Sequence, residues 1–232
     1  MPFKDTIKDV DKLLEKDKFF HDSSGSLLEK LKNILKLRTY DKNQIIYFPR
    51  DDTQNVYIVH NGKIRITRVM DRGKSVTFRH AVAGDVFGEE GIIDKKYRED
   101  YAEAIIKSNV WIIPLKEFKD LIQHNPHFSK LYEIILLKRC KEYEELLADT
   151  LFYPILVRVA RKIIRELKKE GSTNKRVIIT HQELANMLCS RRETISTCLQ
   201  ILEKDGYIQK QKGSIIIKKS VELEHWVNKF SV

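Results

Sequence analysis

Two stretches ten residues apart carry the side chains best suited to chemistry. Thr180-His181-Gln182-Glu183 has the form of a capping box, in which the Thr hydroxyl accepts from the third amide and the Glu reaches back. Ser190-Arg191-Arg192-Glu193 repeats that form, so two capped helices joined by a tight turn are expected. In the second helix, from Arg191 to about Lys204, Ile195, Cys198, Leu199 and Leu202 share one face. Arg192, Glu193, Ser196, Thr197 and Gln200 share the other, and each can donate or accept hydrogen bonds. An arginine pairs with both major-groove acceptors of guanine, and a glutamate accepts from the cytosine amine. A helix N-terminus flanked by Arg191 and Arg192 also suits phosphate. These features predict a helix-turn-helix that reads a nucleic-acid duplex. The competing reading is that Glu193 only caps its helix and the cations form a solvated face.

The elements around this pair must hold it in place. Gly206 is a natural stop for the second helix. A hairpin follows, Tyr207–Lys210 and Ser214–Ile217 around Gln211-Lys212-Gly213, and its lysines 210, 212, 218 and 219 make a basic wing. Upstream, Pro154–Lys169 reads as a helix with Ile155, Val159, Ile163, Ile164 and Leu167 on one face, ended by Gly171-Ser172-Thr173-Asn174. Before it, roughly His127–Leu151 reads as one long helix with Tyr132, Leu136, Cys140, Tyr143, Leu147 and Leu151 spaced by three or four. A helix of about 24 residues spans about 36 Å, more than one small domain needs for its own packing. A second copy of the chain is its simplest partner, and a core helix within one chain is the alternative.

Residues 38–115 change pattern. Short β-branched and aromatic runs at Gln44–Phe48, Val56–Val59, Lys63–Val69, Ser75–Phe78 and Val110–Ile113 alternate with turn signals at Asp41-Lys42-Asn43, Asn61-Gly62, Asp71-Arg72-Gly73 and Ala83-Gly84-Asp85. They predict an antiparallel barrel or roll, with Asn61-Gly62 as a hairpin turn. A short helix, Leu115 to about Ile122, closes it before Pro126. Residues 1–37 look helical, with Val10, Leu13 and Leu14 in one helix, Leu27, Leu28, Leu31, Ile34 and Leu35 in another, and a break at His21–Gly25.

The charge distribution separates these parts. The 232 residues hold 43 Lys+Arg and 33 Asp+Glu, a net of +10. Residues 153–232 hold 16 and 8 of these, a net of +8, while residues 1–152 carry only +2. A near-neutral first part and a cationic last part read as two domains, the second facing a polyanion. The expected division is 1–126, 127–152 and 153–232. The composition, 42% hydrophobic and 33% charged, excludes global disorder. No apolar run reaches transmembrane length and Met1–Asp5 lacks a signal-peptide core, so a cytoplasmic protein is expected. Three cysteines, Cys140, Cys189 and Cys198, do not make a disulfide scaffold, and Cys140 reads as a small filler on the long helix. No phosphate loop, metal-ligand cluster or nucleophile–base pair is supported by spacing, so neither an enzyme nor a bound cofactor is expected. His124 and His127 read as surface residues at a helix start.

The order of helical arm, roll, long helix and winged helix resembles the Crp/Fnr family of bacterial transcription regulators, over about residues 30–225. Two stretches carry the resemblance. One is Gly84-Asp85-Val86-Phe87-Gly88-Glu89, which looks like the family's phosphate-cassette opening, preceded by Val56–Ile64. The other is Arg192-Glu193-Thr194-Ile195-Ser196, continuing to Gly206-Tyr207-Ile208. The resemblance implies an α+β fold: a cyclic-nucleotide-binding-like antiparallel β-roll, a long dimerisation helix and a C-terminal winged helix-turn-helix. It implies a homodimer on a palindromic DNA site, with Arg192 and Glu193 as base readers. The full DNA-contacting set is Thr180, His181, Gln182, Ser190, Arg191, Arg192, Glu193, Thr194, Ser196, Thr197 and Lys212. Thr197 stands where the family usually has Arg, and Cys189 replaces a small turn residue, usually Gly. RNA polymerase is a further partner if the chain activates transcription.

For the roll, the resemblance implies an effector site at Gly88, Glu89 and Arg98. In cyclic-AMP-binding members the cassette Glu holds the ribose and an Arg-Ser pair holds the phosphate. Here Glu99 occupies the Ser position and Asp100 follows. Two carboxylates would repel the phosphate and pair with Arg98 themselves. Glu89 with Arg98 reads as an ion pair bracing the roll. Tyr143 and Glu144 replace the hydroxyl residues expected near adenine. No Cys precedes Cys140 for an iron–sulfur cluster, and Glu90 stands where a haem-ligating His would be. The expectation is a regulator not controlled by cyclic AMP. Alternatives are a cyclic-nucleotide-dependent regulator, and a ligand-binding module whose winged helix contacts protein.

Overall fold

A computed structural model describes residues 25–70, 75–170 and 175–230. The first predicted helix and the Asp71-Arg72-Gly73 and Gly171–Asn174 breaks lie outside these residues. The described residues divide into two compact units, one of residues 25–69 and 78–139, the other of residues 70, 75–77, 140–170 and 175–230.

The first unit opens with α1 (Gly25–Ile34). Two four-stranded antiparallel sheets follow, in the orders β1-β8-β3-β6 and β2-β7-β4-β5. The strands are β1 (Lys36–Tyr40), β2 (Ile45–Tyr47), β3 (Asn55–Asn61), β4 (Lys63–Val69), β5 (Ser75–Val82), β6 (Val86–Phe87), β7 (Tyr101–Ala104) and β8 (Ser108–Pro114). A 3-10 turn, Glu90–Ile93, follows β6. The roll was legible, but β1, β6 and β7 were not: each is short or holds few β-branched residues, and pairing makes them strands, β1 with β8, β6 with β3, and β7 with β2 and β4. Lys36 and Leu37 are strand, not the end of a helix.

Asn61-Gly62 turns the chain but does not close a hairpin, because β3 and β4 lie in different sheets. Gly62 has φ +103°, and a Cβ there would meet Ser108 Oγ at 2.1 Å, so only glycine fits. The same Ser108 hydroxyl accepts from Lys63 N–H at 3.1 Å. The turn therefore carries the chain from one sheet to the other, and each strand pairs where its apolar residues are covered. Trp111, fully buried, sits opposite Ile58 on one side and Leu37 on the other.

α2 (Leu115–His124) buries Phe118 and Leu121. α3 (Pro126–Phe152) starts on a proline, which suits a first helical position. Phe128 and Tyr132 of α3 join the core of the first unit, and Leu136 packs against it. The expected outer stripe is thus corrected at its start: Tyr132 and Leu136 face the core, while Ile134 and Leu137 are exposed. Further along, Cys140, Tyr143, Leu147, Leu151 and Phe152 are exposed, with Leu137, Leu147 and Leu151 at 70, 60 and 67%.

The second unit packs α4 (Ile155–Glu170), α5 (His181–Met187), α6 (Arg192–Lys204) and α7 (Ser220–Asn228) with a three-stranded sheet ordered β10-β11-β9. The sheet comprises β9 (Arg176–Ile178), β10 (Ile208–Gln211) and β11 (Ser214–Ile217). β9 and α7 were not expected from pattern. Val159, Ala160 and Ile163 of α4, Leu184 of α5 and Ile195, Leu199 and Leu202 of α6 are essentially inaccessible in a single core. Burying a valine, leucine or isoleucine side chain contributes about 1.5–3 kcal/mol.

Candidate nucleic-acid interface

The predicted capping box at Thr180 is present. Glu183 N–H donates to Thr180 Oγ1 at 3.1 Å, and the Glu183 carboxylate accepts from Thr180 N–H at 2.7 Å. The second box does not form. The N-cap of α6 is Arg191, which makes no side-chain cap bond. Ser190 closes the preceding turn instead, its N–H donating to Ala185 O at 2.9 Å. The chain between α5 and α6 turns at Cys189, whose φ of 50° is left-handed. That geometry uses Ser190 before the helix can start, so the cap falls one residue later.

Arg158 of α4 braces the turn by donating from Nη2 to Leu188 O at 2.8 Å. A left-handed non-glycine residue stores about 1–3 kcal/mol of strain, and a glycine costs about 0.5–1 kcal/mol in unfolded-chain entropy. Cys189→Gly is therefore expected to stabilise the second unit by about 1 kcal/mol, seen as a rise of several degrees in its melting temperature under reducing conditions.

The stripe of α6 divides as its sequence predicts. Ile195, Cys198, Leu199 and Leu202 are buried. Arg191, Arg192, Glu193, Thr197 and Gln200 are exposed, and Thr194 and Ser196 are half-buried. Thr197 Oγ1 donates to Glu193 O at 3.1 Å, so its hydroxyl proton stays within the helix. His181, at the first position of α5, places Nδ1 2.8 Å from Ser196 Oγ. Burial pushes the His181 pKa below its ordinary value, and Lys210 and Arg192 add to the effect against the weaker pull of Glu203. Gln182 is exposed and donates to Asn186 Oδ1 at 2.9 Å along its own helix.

The wing is latched to α6, a contact that sequence reading missed. Glu203 accepts from Lys210 N–H at 2.7 Å and lies 2.9 Å from Lys210 Nζ. Those bonds hold the Glu203 carboxyl below the usual range, the backbone bond most of all. Lys212 stands exposed at the tip of the β10–β11 turn, beside Gly213 at φ +75°. Lys218 and Lys219 are exposed as well. Glu203 and Lys210 are seven residues apart across a turn, and no periodic signal links them.

In the candidate effector site the chain's own groups engage both terminal nitrogens of Arg98, while its Nε has no hydrogen-bond partner among the described residues. Arg98 is 2% exposed and donates to Gly88 O and Asn55 O, and its Nη1 lies 2.6 Å from Glu90 Oε2. Its guanidinium stacks 4.5 Å from the Tyr47 ring centroid. Gly88 (φ +75°) permits this approach, since a Cβ there would meet Arg98 Nη1 at 2.9 Å and Tyr57 at 2.8 Å. Glu99 and Asp100 do not pair with Arg98 as expected. They take Arg68, each at 2.7 Å, and Glu99 also takes Lys95. Nor does Glu89 pair with Arg98: Arg139 of α3 binds Glu89 and donates to Val86 O at 2.7 Å. The expectation failed because long-range packing, not sequence proximity, decides which carboxylate reaches each arginine. Among the described residues no His, Cys, Asp and Glu group is arranged to hold a metal, and no helix is long and apolar enough to cross a membrane.

Comparison with known proteins agrees with both halves. A cyclic nucleotide-binding domain model matches residues 37–125, and a Crp-like helix-turn-helix model matches residues 157–226. The chain is 24% identical over 205 residues to the "Cyclic AMP receptor protein" of Thermus thermophilus, covering 88% of this chain and 94% of that one. It is 22% identical over 219 residues to the "CRP-like cAMP-activated global transcriptional regulator" of Mycobacterium tuberculosis, covering 92% and 98%. The fold matches the c-di-GMP responsive global regulator CLP of Xanthomonas campestris with a TM-score of 0.73 at 19% identity, over 84% of this chain and 99% of that one. It matches FixK2 of Bradyrhizobium japonicum with a TM-score of 0.72 at 18% identity, over 83% and 96%. The Mycobacterium tuberculosis relative is named a transcriptional regulator and CLP a global regulator. With its cyclic-nucleotide-binding-type roll, its capped helix-turn-helix and both domain models in register, the chain belongs to the Crp/Fnr family of DNA-binding transcription regulators.

Proposed function

We propose that the protein is a homodimeric, cytoplasmic regulator that binds a palindromic DNA site and is not controlled by cyclic AMP. Base reading is assigned to Arg192, Glu193 and Ser196 on α6. The N-terminus of α5 and the Lys212 wing tip take the phosphates. The exposed apolar stripe on α3 supports the dimer. Leu137, Leu147 and Leu151 would not remain in water at helical spacing without a partner, and a second copy of α3 offers the matching surface. A two-fold pair sets two α6 helices into successive major grooves about 34 Å apart.

The observation that carries the effector reading is the committed state of Arg98. A cyclic phosphate would need that guanidinium, which Glu90, Gly88 O and Asn55 O already occupy in a buried position. Glu89, the expected ribose partner, is likewise taken by Arg139. A ligand would have to break two internal ion pairs, at a cost of several kcal/mol.

The test is selection of bound DNA from a random pool, with and without cyclic AMP, on the purified dimer. A single two-fold symmetric motif, bound equally well in both arms, is expected. An affinity that rises tenfold or more with cyclic AMP would overturn the effector reading, and equal binding to random duplexes would overturn the DNA reading. Leu147→Asp is expected to give monomers by sedimentation and to lose specific binding, because a charge desolvated at a helix–helix seam costs several kcal/mol.

A further inference from the structure

A shared proton links the two helices of the DNA-binding motif. His181 Nδ1 and Ser196 Oγ lie 2.8 Å apart, and a hydrogen bond at that distance needs one donor and one acceptor. A serine hydroxyl has one proton and two lone pairs, and a neutral imidazole has one N–H and one lone pair. Whichever way the bond runs, it decides what Ser196 can still offer to a base. Ser196 sits one turn beyond Arg192 and three residues beyond Glu193, on the polar side of α6.

The surroundings choose the direction. His181 is flanked by Lys210 of β10 and Arg192 of α6, and Glu203 of α6 opposes them more weakly. Partial burial, with the two cations nearby, favours the neutral imidazole, which has a single N–H. Its Nε2 pairs with none of the described residues, so Nε2 is the ring nitrogen left for an outside partner. A neutral ring that meets water or a phosphate through Nε2 donates from it, so its one proton sits there. Nδ1 is then a lone pair, and the Ser196 hydroxyl must donate to it.

Resting on the DNA-reading function above, we propose that His181 is a positioning residue for base selection: it consumes the Ser196 proton and leaves Ser196 an acceptor. As an acceptor, Ser196 selects a base with an exocyclic amine in the major groove, adenine at N6 or cytosine at N4. It rejects guanine and thymine, whose O6, N7 and O4 only accept. Neither Arg192 nor Glu193 bonds to the shared proton, so their base contacts serve as the comparison.

The test uses the full-length protein and the DNA site it selects. The position that loses its preference in Ser196→Ala is the Ser196 position. There, wild type is expected to favour adenine or cytosine on the contacted strand over guanine or thymine by roughly tenfold per half-site. His181→Ala should level that preference, leaving the Arg192 and Glu193 positions intact as the internal measure of folding. His181→Lys is the decisive variant. Lysine still donates to phosphate but cannot accept, so it turns the Ser196 hydroxyl outward as a donor and should invert the preference to guanine or thymine. A phosphate-only role for His181 would weaken all sequences alike and move no base preference. The proposal is overturned if wild type favours guanine or thymine at that position, if His181→Lys leaves the preference unchanged, or if Ser196→Ala alters no position. If wild type selects no sequence at all, the DNA-reading function falls and takes this proposal with it. A sharp motif indifferent to His181 sinks this proposal alone.

Discussion

Arg192→Ala is expected to abolish sequence-specific DNA binding while leaving much of the non-specific affinity. A bidentate arginine–guanine contact is worth about 1–3 kcal/mol of discrimination. A dimer presents it twice, so the specific site should weaken by about 2–6 kcal/mol, or roughly 30-fold to more than 10⁴-fold. The exposed Arg191, Lys212, Lys218 and Lys219 remain to neutralise phosphates. Binding to a scrambled duplex should therefore fall little, and the steep salt dependence should persist. Titration of labelled selected and scrambled duplexes at two salt concentrations measures both quantities. A ratio of specific to non-specific affinity that survives the substitution would remove Arg192 from the base-reading set.

Asp149→Ala is expected to destabilise the second unit strongly. Asp149 is 1% exposed and accepts from Arg161 Nε at 2.8 Å and Arg165 Nη2 at 2.5 Å. It sits on the last turns of α3 and fastens them to α4. Removing one partner of a buried ion cluster costs about 3–5 kcal/mol, since the remaining charges stay desolvated. Arg161 and Arg165 are each 22% exposed and can recover some water, and Arg165 also reaches Glu145 at 3.2 Å. The loss should therefore lie near the lower bound, about 3 kcal/mol, or a fall of about 10–20 °C in melting temperature for a unit of this size. Asp149→Asn, which keeps the volume and one acceptor, should lose less. Urea denaturation followed by helical circular dichroism measures the difference. A loss under about 1 kcal/mol would show that the cluster only balances its own desolvation.

What was legible reflects the range of the forces involved. The Thr180–Glu183 box, the stop at Gly206 and the buried stripe of α6 depend on residues no more than a turn or two apart. Such signals survive in a linear reading because the backbone itself sets their spacing. The failure at Ser190 has the same scale. One left-handed residue, Cys189, shifted the cap by one position, and a side chain type does not announce its φ. The strands β1, β6, β7 and β9, of two to five residues, were invisible because only their partners make them strands.

The pairing of charges was the part that linear reading misassigned. Arg98 has Glu89, Glu90, Glu99 and Asp100 within ten residues, and sequence distance cannot rank them. The fold does: it buries Arg98 against Tyr47 and Gly88 beside Glu90, sends Glu99 and Asp100 to Arg68, and brings Arg139 fifty residues to Glu89. The same holds for Glu203 with Lys210, and for His181 with Ser196 fifteen positions away.

By itself, then, the sequence determined the family, the order of roll, long helix and winged helix, and the polar face of α6, because periodicity, caps and turn residues act over a few bonds. Only the tertiary structure decided that Asn61-Gly62 crosses between sheets, that Arg98 is held by Glu90 and two backbone carbonyls, and that His181 meets Ser196 at hydrogen-bond distance. Those outcomes depend on which groups lose water together. That is settled when distant segments pack, where Coulomb and desolvation energies are largest.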